Sequence, residues 1–217
     1  MKVAIIGATG FVGTALTKEL LSRNISVLAI ARSADKLEVS NDNLEKLNID
    51  VLDEQALTSA VNGVDVVISA YNPGWTNPNI HEDYLKGAAA IQNAVEASDV
   101  ERVIVIGGAG TLQIEGNYLV DGSQFPAEIY PAASAVKKYF VETLKPSTKL
   151  DWVFFSPAIE MHPGITIGRT GKYRLGKTSP VFDEQGKCVL SVEDLSIVLA
   201  DEVENPKHHK EQFTAAY

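Results

Sequence analysis

The chain opens with an apolar run, Val3-Ala4-Ile5-Ile6, that stops at Gly7 and passes almost at once into a helix-length segment, with Gly10 and Gly13 at fixed offsets. A strand that ends on a glycine, turns sharply and opens a helix is the first unit of an alternating β/α sheet. The rest of the chain keeps that alternation. Strands are expected at Val3–Ile6, Ser26–Ala31, Glu45–Asp50, Asp65–Ala70, Arg102–Ile106 and Trp152–Phe155, and helices at Phe11–Arg23, Glu54–Val61, Ile80–Ser98 and Ala132–Leu144. Several strands are apolar throughout, the mark of a parallel sheet covered on both faces.

The expected fold is therefore α/β: a Rossmann-type, doubly wound, mostly parallel sheet in three α/β/α layers with right-handed crossovers. At 217 residues, 45% hydrophobic and 22% charged, one domain over 1–217 buries a core without staples. Two stretches break the rhythm, Gly107–Pro131 and Ser156–Lys187, both glycine- and proline-bearing and both after strand ends, where open α/β sheets bind ligands. A last helix, Val192–Glu204, starts at Ser191, and Gln212–Ala216 reads as a final strand, so that 156–217 forms a small irregular substrate-side lobe.

The glycine turn carries the chemistry. Gly7 permits the sharp turn, Gly10 lets backbone approach a diphosphate, and Gly13 lets helix and strand pack closely. Free N–H groups of the helix start would then face the phosphates of a dinucleotide, with Thr9, Phe11 and Val12 beside them. The second strand ends Ala29-Ile30-Ala31-Arg32, with Lys36 one helical turn on. No carboxylate stands where one would accept from a ribose 2′-OH, and a guanidinium there suits a 2′-phosphate, so NADP(H) is expected to be preferred, with NAD(H) as the alternative. Asp50 and Val51 would border the adenine. Ala70, Tyr71, Gly107 and Gly108 would border the ribose and nicotinamide, with Ser156 and Pro157 at the sixth strand's end.

GATGFVG at Gly7–Gly13 resembles the dinucleotide motif of the short atypical members of the short-chain dehydrogenase/reductase superfamily. Ser156-Pro157-Ala158, Thr170-Gly171-Lys172-Tyr173-Arg174-Leu175-Gly176, Ser191-Val192-Glu193-Asp194 and Gln212-Phe213-Thr214 look more narrowly like the NADH-flavin-reductase-like proteins, which are similar to biliverdin reductase B and to NmrA-like NAD(P)-binding proteins. The resemblance spans essentially the whole chain. It implies a Rossmann fold, a nicotinamide cofactor and reduction of a flavin as substrate.

Typical members of that superfamily place Tyr and Lys four residues apart on one helix face, where the ammonium makes the phenol a usable acid. Here Tyr130 is followed at that spacing by Ser134, and Lys137 and Lys138 lie roughly 10–12 Å along the axis. Tyr130 and His162, the latter in the long C-terminal loop, remain the candidate catalytic groups. The literal match Tyr173…Lys177, and the phosphate-loop spacing Gly171…Gly176-Lys177-Thr178, sit among Gly171, Gly176 and Pro180, where a helix is disfavoured. A flavin or similar planar conjugated acceptor spreads the new charge over its ring and needs no positioned acid. Hydride reduction of such a small-molecule substrate is the expected function; a non-catalytic NADP(H)-sensing regulator and a sugar epimerase or dehydratase are the alternatives.

A net charge of −9 argues against a nucleic-acid partner, and no apolar run is long enough for a membrane span. The lone Cys188 and the spacing of the four histidines indicate no metal. The apolar opening stops too early for a signal peptide, so the cytoplasm is the expected location.

Overall fold

A computed structural model describes residues 1–217. The strands are β1 (Lys2–Ile6), β2 (Ser26–Ala31), β3 (Leu44–Asn48), β4 (Val66–Ser69), β5 (Arg102–Ile106), β6 (Gln113–Ile114), β7 (Asn117–Tyr118), β8 (Asp151–Ser156), β9 (Arg174–Gly176) and β10 (Glu211–Ala216). The helices are α1 (Phe11–Ser22), α2 (Glu54–Val61), α3 (Ile80–Glu96), α4 (Tyr130–Tyr139) and α5 (Val192–Glu204). Eight strands form one sheet in the order β3-β2-β1-β4-β5-β8-β10-β9, parallel except where β9 pairs antiparallel with β10. β6 and β7 make a separate hairpin. This is the Rossmann-type α/β architecture, with the strand order reversing at β1.

The apolar strands sort their side chains by period two. Val3 and Ile5 of β1 face a core shared with α1 and α5, whereas Ala4 and Ile6 face a second core shared with α2, α3 and α4. Both faces are covered, which is why the strands do not alternate in polarity. No helix is long and apolar enough to cross a membrane.

Element bounds follow the expected ones closely, with three informative differences. The fourth helix begins at Tyr130 rather than Ala132, Pro131 lying in its first turn where a missing N–H costs nothing, and it closes in a π-helical turn, Phe140–Leu144. That widened turn lays Phe140 on Phe154, with ring centroids 4.1 Å apart. The loop 107–131 contains the β6–β7 hairpin, and the glycine-rich stretch near residue 175 is a strand. Because β9 is extended, Tyr173 and Lys177 lie at the two ends of a strand and share no helix face. His208 and His209 lie beyond the end of α5; Glu202 takes His208 at 2.7 Å and Asp151 takes His209 at 2.9 Å.

Candidate active site

The reversal of strand order between β1 and β4 opens a cleft at the C-terminal ends of the strands. Its first section, about 400 Å³, lies over β2, β3 and β4 and includes Gly7, Thr9, Arg32, Asp50, Val51 and Lys86. A middle section of about 420 Å³ runs along the start of α1, past Phe11 and Val12, to Pro157 and His162. The third, about 570 Å³, is an apolar cavity under the loop 107–131. Tyr71 and Asn72 border all three, which makes the sections one continuous trough.

The turn after β1 is built for close approach. Gly7 sits at φ +86°, and a Cβ there would lie 2.6 Å from the carbonyl oxygen of Ala70. A Cβ on Gly13 would lie 2.3 Å from the Gly7 oxygen, so any side chain would push α1 off the turn. The start of α1 is also left electrostatically open. Asp53 caps α2, Ser191 caps α5, Glu82 and Asp83 sit in the first turn of α3, and Pro131 in that of α4. By contrast α1 starts on Gly10 with no side-chain cap and no acidic residue in its first turn. Its amides and partial positive charge face the cleft, an arrangement that fits a diphosphate.

Arg32 is exposed, lines the first section and makes no ion pair or side-chain hydrogen bond within the chain. Lys86 on α3 lines the same section, a cation that the sequence reading missed because a lysine on an exposed helix face carries no local signal. Lys36 is exposed on the single 3₁₀ turn Ala34–Lys36 and does not border the cleft. Asp50 does border it, and also accepts from the Leu52 amide at 3.0 Å, so it serves as a turn residue at the same time.

Of the residues expected near the nicotinamide, Ala70, Tyr71, Gly107 and Gly108 line the trough, as does Pro157. Ser156 does not. Its hydroxyl lies 2.7 Å from that of Thr111 and accepts from Gln212 Nε2 at 2.8 Å, fully buried beneath the loop it fastens. Tyr130 is half-exposed, edge-on to Phe125, and outside the cavity lining. The hydroxyl of Ser134, where a lysine would be needed, bonds the Pro131 carbonyl. Lys137 is held by both Asp121 oxygens at 2.8 and 2.6 Å. His162 lines the middle section, with Nδ1 accepting from the Gly164 amide at 3.1 Å.

Two phenols at the cavity, Tyr71 and Tyr84, are not tuned as acids. Burial pushes Tyr71 above its ordinary value; the Asp83 and Asp50 carboxylates add to this and Arg32 opposes it. Burial raises Tyr84 as well. Both therefore stay protonated at neutral pH. Tyr71 donates to the Asp83 carbonyl at 3.0 Å.

A Rossmann sheet, an uncapped first helix and a strand-crossover cleft define a dinucleotide-binding protein. The NAD(P)H-binding family model matches residues 7–206, and the chain belongs to that family. The protein is similar to the uncharacterized protein YwnB of Bacillus subtilis, 31% identical over 217 residues that cover 99% of this chain and 97% of that one. A crystal structure from Bacteroides thetaiotaomicron, provisionally assigned as an epimerase, is 39% identical with a TM-score of 0.91, over 100% of this chain and 96% of that one. A second, from Streptococcus pneumoniae and provisionally assigned as an NADH-flavin reductase, is 30% identical with a TM-score of 0.87, over 100% and 99% of the two chains.

Proposed function

We propose that the protein is an NADPH-dependent reductase that delivers hydride to a flavin or a similar planar conjugated ring. The observation that carries this reading is the apolar cavity continuous with the dinucleotide cleft and free of any titrating side chain other than tyrosine. A carbonyl reductase or a sugar epimerase needs a positioned acid–base pair, and Tyr130, Ser134 and Lys137 do not make one. A conjugated ring needs only to be held flat, close and dry.

Under this reading the α1 amides and Gly7–Val12 hold the diphosphate. Arg32 takes the 2′-phosphate, Asp50 and Val51 border the adenine, and Tyr71, Gly107 and Pro157 border the nicotinamide. Bound there, the reduced dinucleotide supplies a hydride which, with one proton from water, converts the acceptor to its dihydro form and leaves the oxidised dinucleotide. The chain's own part is to orient two rings and exclude water from the face between them. The Streptococcus pneumoniae relative supports the flavin assignment. The missing acid–base pair also suits a regulator that binds NADP(H) without turning it over.

Two measurements decide. NADPH is expected to bind roughly tenfold or more tightly than NADH, a difference of about 1.4 kcal/mol, with Arg32→Ala abolishing the preference. Equal dissociation constants in the unaltered protein would overturn the NADP assignment. Stirred with NADPH and riboflavin or a quinone, the protein should oxidise NADPH well above the enzyme-free rate. Tight NADPH binding without turnover of any such ring would favour the regulator.

A further inference from the structure

Charge is divided sharply along the trough. The first section is lined by charged side chains: the carboxylates Asp50 and Asp83, which accept from the Leu52 amide and from Asn77, and the cations Arg32 and Lys86, which have no partner in the chain and so are free to meet anionic groups. The cavity at the other end holds no charged side chain. Fifteen of its 23 lining residues are hydrophobic, and the others are four glycines, Pro126 and the amides Asn72, Asn117 and Gln124. No Asp, Glu, Lys, Arg or His is among them. The cation behind its wall, Lys137, lies 5.0 Å from the Tyr118 ring centroid and is neutralised by both oxygens of Asp121. The chain as a whole carries a net charge of −9.

We propose that this cavity selects an uncharged acceptor, a quinone or an unphosphorylated flavin, and discriminates against rings that carry phosphate, sulfonate or carboxylate. The proposal rests on the reductase reading of the same site and narrows its substrate class. An anion drawn into apolar surroundings loses its hydration and finds no cation here to replace it, while the protein's own charge repels it. A neutral ring loses little on entry. The side-chain amides of Asn72 and Gln124 in the lining supply donors for its carbonyl oxygens, and the rings of Tyr118, Phe125 and Trp75 supply apolar surface for its faces. The redox balance is the one already stated: hydride to the ring, a proton from water, no further reductant.

Riboflavin and FMN test this directly, because they share one redox-active ring and differ by a phosphate. With NADPH in excess, kcat/KM for riboflavin should exceed that for FMN by roughly tenfold or more. Menadione should likewise surpass a naphthoquinone sulfonate, although the sulfonate makes its ring the more eager hydride acceptor. Gln124→Lys, which sets a cation in the exposed part of the lining, should shift the FMN-to-riboflavin ratio toward FMN by roughly tenfold. Binding is read separately, by quenching of tryptophan fluorescence in the NADP-loaded protein. Preferential binding of riboflavin without its reduction would uphold the charge rule while ending the reductase reading. Equal turnover of FMN and riboflavin, or a preference for FMN, would leave the reductase standing and overturn the charge rule.

Discussion

The ring of Tyr71 borders every section of the trough, and its position is set by a residue on the neighbouring helix. Gly87 in α3 leaves the space the ring fills: a Cβ there would lie 2.3 Å from Tyr71 Cζ and Oη. The ring also stacks on Tyr84, centroids 6.0 Å apart, and Tyr84 meets Tyr139 edge-on at 6.2 Å, so it cannot retreat into the core. Gly87→Ala should therefore drive the ring toward the cleft. Helix propensity favours alanine by about 1 kcal/mol, which offsets part of the cost of displacing the ring from Tyr84 and the Asp83 carbonyl, so thermal stability should change by no more than about 1–2 kcal/mol. NADPH affinity should nonetheless fall roughly fivefold, a loss of about 1 kcal/mol. Calorimetric titration beside a melting curve separates the two; a fall in stability beyond that range, parallel to the loss of affinity, would point to general disruption instead. At this scale, legibility depended on chain locality. Arg32 could be read from its place at a strand end, whereas Lys86 and Gly87 matter only because α3 folds across the end of β4.

At the scale of elements, two of the segments that carry the family resemblance in the C-terminal lobe, those around Thr170 and Asp194, meet in one clasp. Asp194, fully buried in the first turn of α5, accepts from the Thr170 amide at 3.0 Å, the Thr170 hydroxyl at 2.6 Å, the Gly171 amide at 2.8 Å and the Tyr217 hydroxyl at 2.7 Å. Burial works to raise its pKa, but these donors outweigh it and hold the carboxyl below its ordinary value. Asp194→Asn keeps the shape but puts an amide donor where only acceptors serve, and should cost about 1–3 kcal/mol at neutral pH. Because the folded-state pKa is lowered, the carboxylate's contribution is present above the unfolded value near 4 and is lost as pH falls through the folded one. The gap between wild type and variant in urea melts should therefore close in acid. A gap that stays constant from pH 7 to pH 3 would show that charge plays no part. Regular helices and buried strands could be read locally from periodicity. The β6–β7 hairpin and β9 could not: they are short and polar or glycine-bearing, and β9 becomes a strand only because β10 offers it an edge.

Across the whole molecule, the opposite rim of the sheet carries the counterpart of the cleft. Arg102, at the first position of β5, is buried against Asp151 and, at 2.6 Å, Glu202, and donates to the His208 carbonyl at 3.1 Å. Glu202 in turn receives the His208 ring, which stacks on Phe213 at 4.1 Å. This knot ties β5, β8, α5 and the approach to β10 together. Arg102→Met would leave two carboxylates without their cation, costing about 3–5 kcal/mol and lowering Tm by roughly 10 °C. The knot stands at the N-terminal ends of strands about 16 Å long, with the cleft at the other, so NADPH affinity in the folded variant should be unchanged. A weakened dinucleotide site at temperatures well below Tm would contradict that separation.

What the sequence determined by itself was whatever depends on neighbours along the chain: alternating strands and helices, the glycine turn, the cation at the second strand's end and the absence of a tyrosine–lysine pair. Tertiary structure alone decided which distant segments share a surface. It buried Ser156 under Thr111 and Gln212, kept Lys36 away from the cleft, brought Lys86 to it, and gathered fifteen hydrophobic residues, spread from Tyr71 to Ile159, into one uncharged cavity. The physical reason is range. Backbone preference and periodicity act over a few residues, whereas a cavity's charge is the sum over side chains that only the packing of the whole sheet sets face to face.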